Sequence, residues 1–90
     1  MSCKQTRHAK RPVYVITSTA GHKAVKHAWG SAHSELRSIA RSHLESISGG
    51  YAGMWSLVDI EDNQEHTKAL RVWANIETGE SVAFHIAKIS

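Results

Sequence analysis

Histidine is the residue type that most invites a chemical interpretation of this chain, because 7 of its 90 residues are histidines. Four of them, His22, His27, His33 and His43, lie in or just before a stretch with helical spacing. An imidazole can bind a transition metal or transfer a proton near neutral pH. No two of the four are three or four residues apart, the spacing that places two ligands on one helical face. The spacing therefore predicts no metal site. We expect His43, which falls inside the apolar stripe of the helix, to be partly buried and hydrogen-bonded, and the other histidines to lie at the surface.

Catalytic motifs do not accompany these histidines in the sequence. The chain lacks a G-x-S-x-G sequence, and its one cysteine, Cys3, lies in an N-terminal tail with no evident activating group. The glycines of residues 49–53 follow a helix and precede a strand, the reverse of a phosphate-binding loop, and predict a turn. The best remaining pair is His85 beside Arg71, which would suit a small nuclease or toxin. The residues favour a protein that is not an enzyme.

Charge is divided unevenly along the chain. Residues 1–50 hold eight Lys and Arg against two Glu, whereas residues 51–90 hold three Lys and Arg against six Asp and Glu. A basic half can bind an acidic partner such as nucleic acid. It can equally be a solvated surface that attracts the acidic half, which is the commoner outcome for surface charge.

The N-terminus and the cysteine content indicate where the protein works. The start, MSCKQTRHAK, lacks the apolar core of a signal peptide, and no apolar run in the chain is long enough to span a membrane. A single cysteine cannot form an internal disulfide. These features predict a cytoplasmic protein without a membrane partner. The length of 90 residues predicts one domain, residues 12–90, preceded by a flexible basic arm, residues 1–11.

The elements that must position these side chains can be read from periodicity. Apolar residues from Val25 to Ile47 recur every three or four positions, which predicts a helix that is either continuous or interrupted at Gly30. Four segments have the composition of strands, namely 13–19, 54–60, 69–76 and 82–89. We expect an α+β domain in the order β-α-β-β-β, with one helix packed on one face of a four-stranded, mostly antiparallel sheet. The predicted core is Leu36, Ile39, Leu44, Ile47, Leu70, Val72, Phe84 and Ile86.

Two binding surfaces follow from this layout. If Leu70 faces the helix, the other sheet face carries aromatic, polar and basic side chains of the kind that some RNA-binding domains use: Arg71, Trp73, Asn75 and His85. Trp73 can also be covered by the arm, by Tyr51 or by a second subunit, so a homodimer stays open. On the solvent side of the helix, four cations fall within about 60° of one another and form a basic ridge: Lys23, Lys26, Arg37 and Arg41.

In size, in its plan of one helix on a sheet and in its lack of catalytic motifs, the chain resembles the small accessory proteins of phages and mobile elements. Anti-CRISPR proteins are the type example of that group. The resemblance covers the general plan and no motif, so no residue role is carried over. It implies an inhibitor that occupies the surface of a host protein or nucleoprotein complex. We therefore expect a non-enzymatic binding module without cofactor, with direct nucleic-acid binding through the ridge and Trp73 as the alternative.

Overall fold

The computed structural model describes residues 11–48 and 54–90. The elements in chain order are β1 (Tyr14–Ser18), β2 (Lys23–Lys26), α1 (Trp29–Ile47), β3 (Trp55–Asp62), β4 (Lys68–Asn75) and β5 (Ser81–Lys88). The α+β class, with one helix and an antiparallel sheet in the described part of the chain, is confirmed. The predicted number of strands is wrong, because the sheet has five strands and the order of elements is β-β-α-β-β-β.

The sheet has the strand order β2-β1-β5-β4-β3, and each of its pairings is antiparallel. The strands β3, β4 and β5 form a meander, and the hairpin of β1 and β2 joins it through β5. The helix α1 connects β2 to β3, which are the two opposite edges of the sheet. The backbone of α1 lies over β1, β2 and β5, so β4 and β3 extend beyond the helix.

The core lies between α1 and the strands beneath it. Its helical members recur at every fourth position, because residues four apart share one face of a helix. The buried side chains are Tyr14, Ile16, Ala32, Leu36, Ala40, Leu44, Ala69, Val82, Phe84 and Ile86. This set contains four of the eight predicted core residues, and Ile39 packs partly buried against it. Ile47 was predicted in the core, but at the last helical position it is 52% exposed.

The segment before the helix folds as a strand, where the sequence predicted the first helical turns. Gly21 has a φ of 97°, which glycine adopts at little cost. The hydroxyl of Ser18 accepts hydrogen bonds from the backbone N–H groups of Ala20 and His22, each at 3.1 Å. This turn reverses the chain after β1, so that residues 23–26 pair with β1 as β2. The four residues KAVK are too few to show a strand periodicity in the sequence.

The helix begins later in the chain than the sequence predicted. Val25, predicted on the apolar stripe of the helix, lies on β2 and is 49% exposed. The helix begins at Trp29 and continues through Gly30 without a break. Gly30 therefore does not interrupt the helix, but one continuous rod from Val25 to Ile47 is also wrong, because residues 23–26 form β2.

Strand β4 presents the face opposite to the predicted one. Arg71 is paired with Phe84, and directly opposed residues lie on the same side of a sheet. Arg71 and Trp73, two residues on, therefore share the helix-facing side with the core. An alternating strand fits either orientation, because a shift of one residue exchanges its two faces. The residues that move to the open side are Leu70 and Val72, which the sequence placed in the core.

Within the described ranges, no helix has both the length and the apolar character that crossing a membrane requires. Two predicted features, the arm up to residue 10 and the turn at residues 49–53, lie outside the described residues.

Candidate binding surfaces

A groove of about 690 Å³ lies between the C-terminal half of α1 and the part of the sheet that extends beyond the helix. The helix contributes Arg37, Arg41 and Glu45 to its lining, and the sheet contributes Trp55 and Trp73. The two arginines line the same groove because they are four residues apart on one helix. We call this feature the Trp-Arg groove, because two arginines of α1 and two tryptophans of the sheet line it.

Contacts with residues of the fold hold both indole rings of the groove in place. The ring of Trp73 meets the buried ring of Phe84 edge to face, with 5.6 Å between centroids and an angle of 87°. The indole N–H of Trp55 donates a hydrogen bond of 2.9 Å to the hydroxyl of Ser48, just after α1. Both side chains are partly buried against the core. A ligand that binds to rings fixed in this way loses little affinity to side-chain ordering.

Ion pairs neutralise part of the positive charge of the predicted ridge. Lys26 Nζ lies 3.5 Å from a carboxylate oxygen of Glu35, and Arg41 Nε lies 3.6 Å from one of Glu45. Arg37 is exposed and has no carboxylate within salt-bridge distance in the described part of the chain. Of the chain's 11 Lys and Arg, three precede residue 11, so residues 11–90 hold eight cations and eight carboxylates. The formal charge of this part is zero.

The fold redistributes the four cations predicted to form the ridge. Arg37 and Arg41 stay together on α1. Lys23 and Lys26 lie on β2 instead, on opposite sides of the sheet because they are three residues apart on a strand. A continuous ridge of four residues is therefore wrong, because it assumed helical geometry for residues 23–26.

The set predicted on the open face of the sheet is split as well. Arg71, Trp73 and Asn75 lie on the helix-facing side, whereas His85 is opposed to Leu70 on the open side and is exposed. The predicted neighbours His85 and Arg71 thus point away from each other. Their geometry does not form the acid–base and phosphate-binding pair that a small nuclease would use.

Arg71 and Asn75 are occupied by contacts within the fold. The guanidinium of Arg71 donates two hydrogen bonds to the carboxylate of Asp62, at 2.7 and 3.1 Å. These hydrogen bonds hold the pKa of Asp62 below its usual value. The side-chain oxygen of Asn75 accepts the backbone N–H groups of Glu77 and Thr78, at 2.8 and 3.0 Å, and so closes the turn after β4.

Two histidines that are 21 positions apart in the sequence meet at one edge of the core. The rings of His22, in the turn after β1, and His43, on α1, lie 4.8 Å apart between centroids. Both rings contact Phe84, at 5.7 and 6.4 Å. Burial lowers the pKa of His43, and the nearby His22 lowers it further. His43 is partly buried, as predicted, and these surroundings favour its neutral form.

A second cluster of aromatic rings lies at the first half of α1 and consists of Trp29, His33 and His66. The ring of Trp29 stacks on His66, with 5.4 Å between centroids, and meets His33 edge to face at 4.7 Å. Burial lowers the pKa of His33, and Arg71 lowers it further, although Asp62 acts in the opposite direction. The buried Nε2 of His33 has no hydrogen-bond partner among the described residues. A neutral ring in this position is the form that the surroundings favour.

A metal ion would need more ligands than these pairs of histidines offer. In the ranges 11–48 and 54–90, no three His, Cys, Asp or Glu side chains are grouped so that they could hold one.

Trp55 is the residue of the groove that the sequence did not single out. It lies on β3, 18 positions before Trp73 on β4, and the pairing of the two strands places both on the helix-facing side. The signal for Trp55 in the sequence was its alternation with Leu57. This pattern shows that the two side chains share a strand face, but not that the face lies on the helix side of the sheet.

Comparisons of the chain with protein-family models, with curated proteins and with solved structures give no match.

Proposed function

We propose that the protein is a non-enzymatic binding module for another protein, and that the Trp-Arg groove is where this partner binds. The observation that carries the proposal is one groove lined by Arg37, Arg41 and two tryptophans, whose indole rings are held in place by contacts within the fold. Trp and Arg are the residue types whose truncation costs most at protein interfaces, where they fill desolvated pockets. A groove that pairs them offers an apolar floor with a charged rim.

A protein partner suits the charge of the domain better than nucleic acid does. Residues 11–90 carry equal numbers of cations and carboxylates, whereas affinity for nucleic acid comes largely from several cations that each neutralise a phosphate. Arg41 already faces Glu45. The same strand that supplies Trp55 also carries Asp59 and Glu61, whose charge repels phosphates.

The narrower form of the proposal concerns what binding achieves. The partner is a host protein or nucleoprotein complex, and the protein inhibits it by occupying its surface. This form is supported only by the general plan that the chain shares with anti-CRISPR proteins, so it is a separate proposal from the location of the groove.

Affinity capture with matched variants tests the proposal. The tagged protein is incubated with a nuclease-treated lysate of the source organism, and bound proteins are identified by mass spectrometry. The groove variant reverses both arginines, Arg37→Glu with Arg41→Glu. The control reverses two exposed lysines outside the groove, Lys68→Glu with Lys88→Glu, and so changes the net charge equally. We expect one partner that the parent and the control retain and the groove variant loses.

Kinetics with the purified partner separate the two contributions of the groove. The arginine reversals should mainly slow association, because exposed charges steer the encounter. Trp55→Ala should mainly speed dissociation, because it removes apolar contact from the bound state. If the control variant loses the partner as fully as the groove variant, the groove is not the binding site.

Nucleic acid is the outcome that would replace the proposal. Fluorescence anisotropy with random single-stranded and double-stranded oligonucleotides, at physiological salt, should show no binding tighter than micromolar. Tight binding that the arginine reversal abolishes, with an affinity that falls steeply as salt rises, would make the protein a nucleic-acid binder.

A further inference from the structure

The outer edge of β3 is a surface that the proposed function does not use. β3 has eight residues and ends the strand order, so only one of its sides is paired within the described part of the chain. Three of its large apolar side chains are exposed: Leu57 by 43%, Val58 by 58% and Ile60 by 56%. A long apolar edge strand presents free backbone N–H and C=O groups and acts as a template for another strand.

The other edge of the sheet has the features that resist such pairing. β2 has only four residues, and Lys23 and Lys26 stand at its two ends. Short edges that carry lysine are the usual protection against edge-to-edge association. The two edges therefore differ, and only β3 offers both the length and the apolar side chains that a pairing strand needs.

We propose that two copies of this chain pair through β3, antiparallel about a two-fold axis, so that their sheets become one. The β-bulge in β3 makes the strand self-complementary. Val58 is skipped in the pairing with β4, since Leu57 is opposed to Trp73 and Asp59 to Val72. Leu57 and Ile60 consequently lie on the same side of the sheet. Full overlap of two β3 strands then places Leu57 opposite the partner's Ile60, apolar against apolar.

The carboxylates of β3 select this register. Full overlap places Asp62 opposite the partner's Trp55 and Glu61 opposite the partner's Ser56, so that neither acid faces another acid. The exception is Asp59, which lies opposite the partner's Val58 and close to the partner's Asp59 at the two-fold axis. Because like charges this close repel each other, added salt should strengthen the dimer.

The dimer would also enlarge the surface available to a partner protein. A two-fold axis perpendicular to the sheet keeps both α1 helices on the same side. The uncovered strands β3 and β4 of the two copies then form one floor between the helices, with a Trp-Arg groove on either side. The dimer is inferred from β3 alone and does not depend on the proposed function.

Sedimentation velocity over a range of protein concentrations, from about 10 µM to 1 mM to reach weak interfaces, tests the dimer. The parent chain should shift from monomer to dimer, and the shift should move to lower concentration when salt is raised. Leu57→Lys with Ile60→Lys places lysine opposite lysine and should abolish the dimer. The matched control is Val25→Lys, an exposed apolar residue on the β2 edge, which should leave the dimer unchanged.

A mixing experiment tests the register itself. A second variant carries Leu57→Glu with Ile60→Glu and should also be monomeric, with an unchanged circular dichroism spectrum. Mixed in equal amounts, the lysine and glutamate variants should form a heterodimer, because each lysine then faces a glutamate. A parent that stays monomeric throughout, a dimer that Val25→Lys dissolves, or a mixture that stays monomeric would overturn the proposal. Each result leaves the test of the groove by Arg37→Glu with Arg41→Glu independent, because both arginines lie on α1 and outside β3.

Discussion

Leu36→Ala measures how much of the fold depends on the helix face that packs on the sheet. Leu36 is 1% exposed and lies at the centre of the buried helical row between Ala32 and Ala40. Because alanine neighbours cannot expand into the space, the change should leave a cavity and cost about 3 kcal/mol, within the range of about 2–5 kcal/mol for buried leucines. A domain of this length has about 5–13 kcal/mol in total.

Ile47→Ala is the matched control on the same helix. Ile47 belongs to the apolar stripe of the sequence but is 52% exposed, so its truncation should cost under about 1 kcal/mol. Urea unfolding followed by tryptophan fluorescence, at one protein concentration, gives both free energies, and the loss at Leu36 corresponds to a Tm lower by about 10–25 °C. Equal losses at Leu36 and Ile47 would show that the helix is rotated relative to the sheet.

Three further measurements address the titrating groups and the absence of a metal requirement. The surroundings of His33 and His43 in the folded protein hold their pKa values below the ordinary 6.5. The stability that depends on their neutral form is therefore complete above about pH 6.5 and is lost as pH falls through the folded-state pKa. Urea unfolding at a series of pH values should show this decline in the free energy of unfolding, and His33→Gln with His43→Gln should flatten it. Arg71→Gln should return the pKa of Asp62 towards 3.8, as a carboxyl NMR titration can follow, and a shift in the other direction would contradict the ion pair. Thermal melts with and without a chelator should coincide, and a large stabilisation by stoichiometric zinc would refute this.

The class of fold was accessible from the sequence because periodicity carries it. Alternation predicts β4 and β5, and β-branched or aromatic composition predicts β1 and β3. A three-to-four spacing predicts the helix, and its buried row from Ala32 to Leu44 follows from that spacing. The hairpin strand β2 was not accessible. Its four residues are too few for a period, and Val25 fits a helical stripe as well as a strand.

The candidate site was predictable only in part, because it depends on register. Arg37, Arg41 and Trp73 were all identified as binding residues, but on two separate surfaces. The alternation in β4 defines two faces without showing which one lies on the helix side of the sheet, and polar Arg71 made that face resemble the solvent side. In the fold, Asp62 neutralises Arg71 there, so a tertiary contact reverses the interpretation that the isolated strand supports.

The pairing of β1 with β5 has a consequence for the order of folding. It joins residues about 70 positions apart, such as Ile16 and Ile86, whereas β1–β2 and the β3–β4–β5 meander close between neighbours in the chain. Contacts between residues distant in the sequence form slowly, because the chain between them loses conformational entropy on closing before the contacts can stabilise the loop. The β1–β2 hairpin and the β3–β4–β5 meander should therefore form first. The transition state for folding should be reached when β1 pairs with β5 and Ile16 contacts Ile86. Truncation of either residue would then slow refolding, while the same change in the local hairpins would act mainly on unfolding.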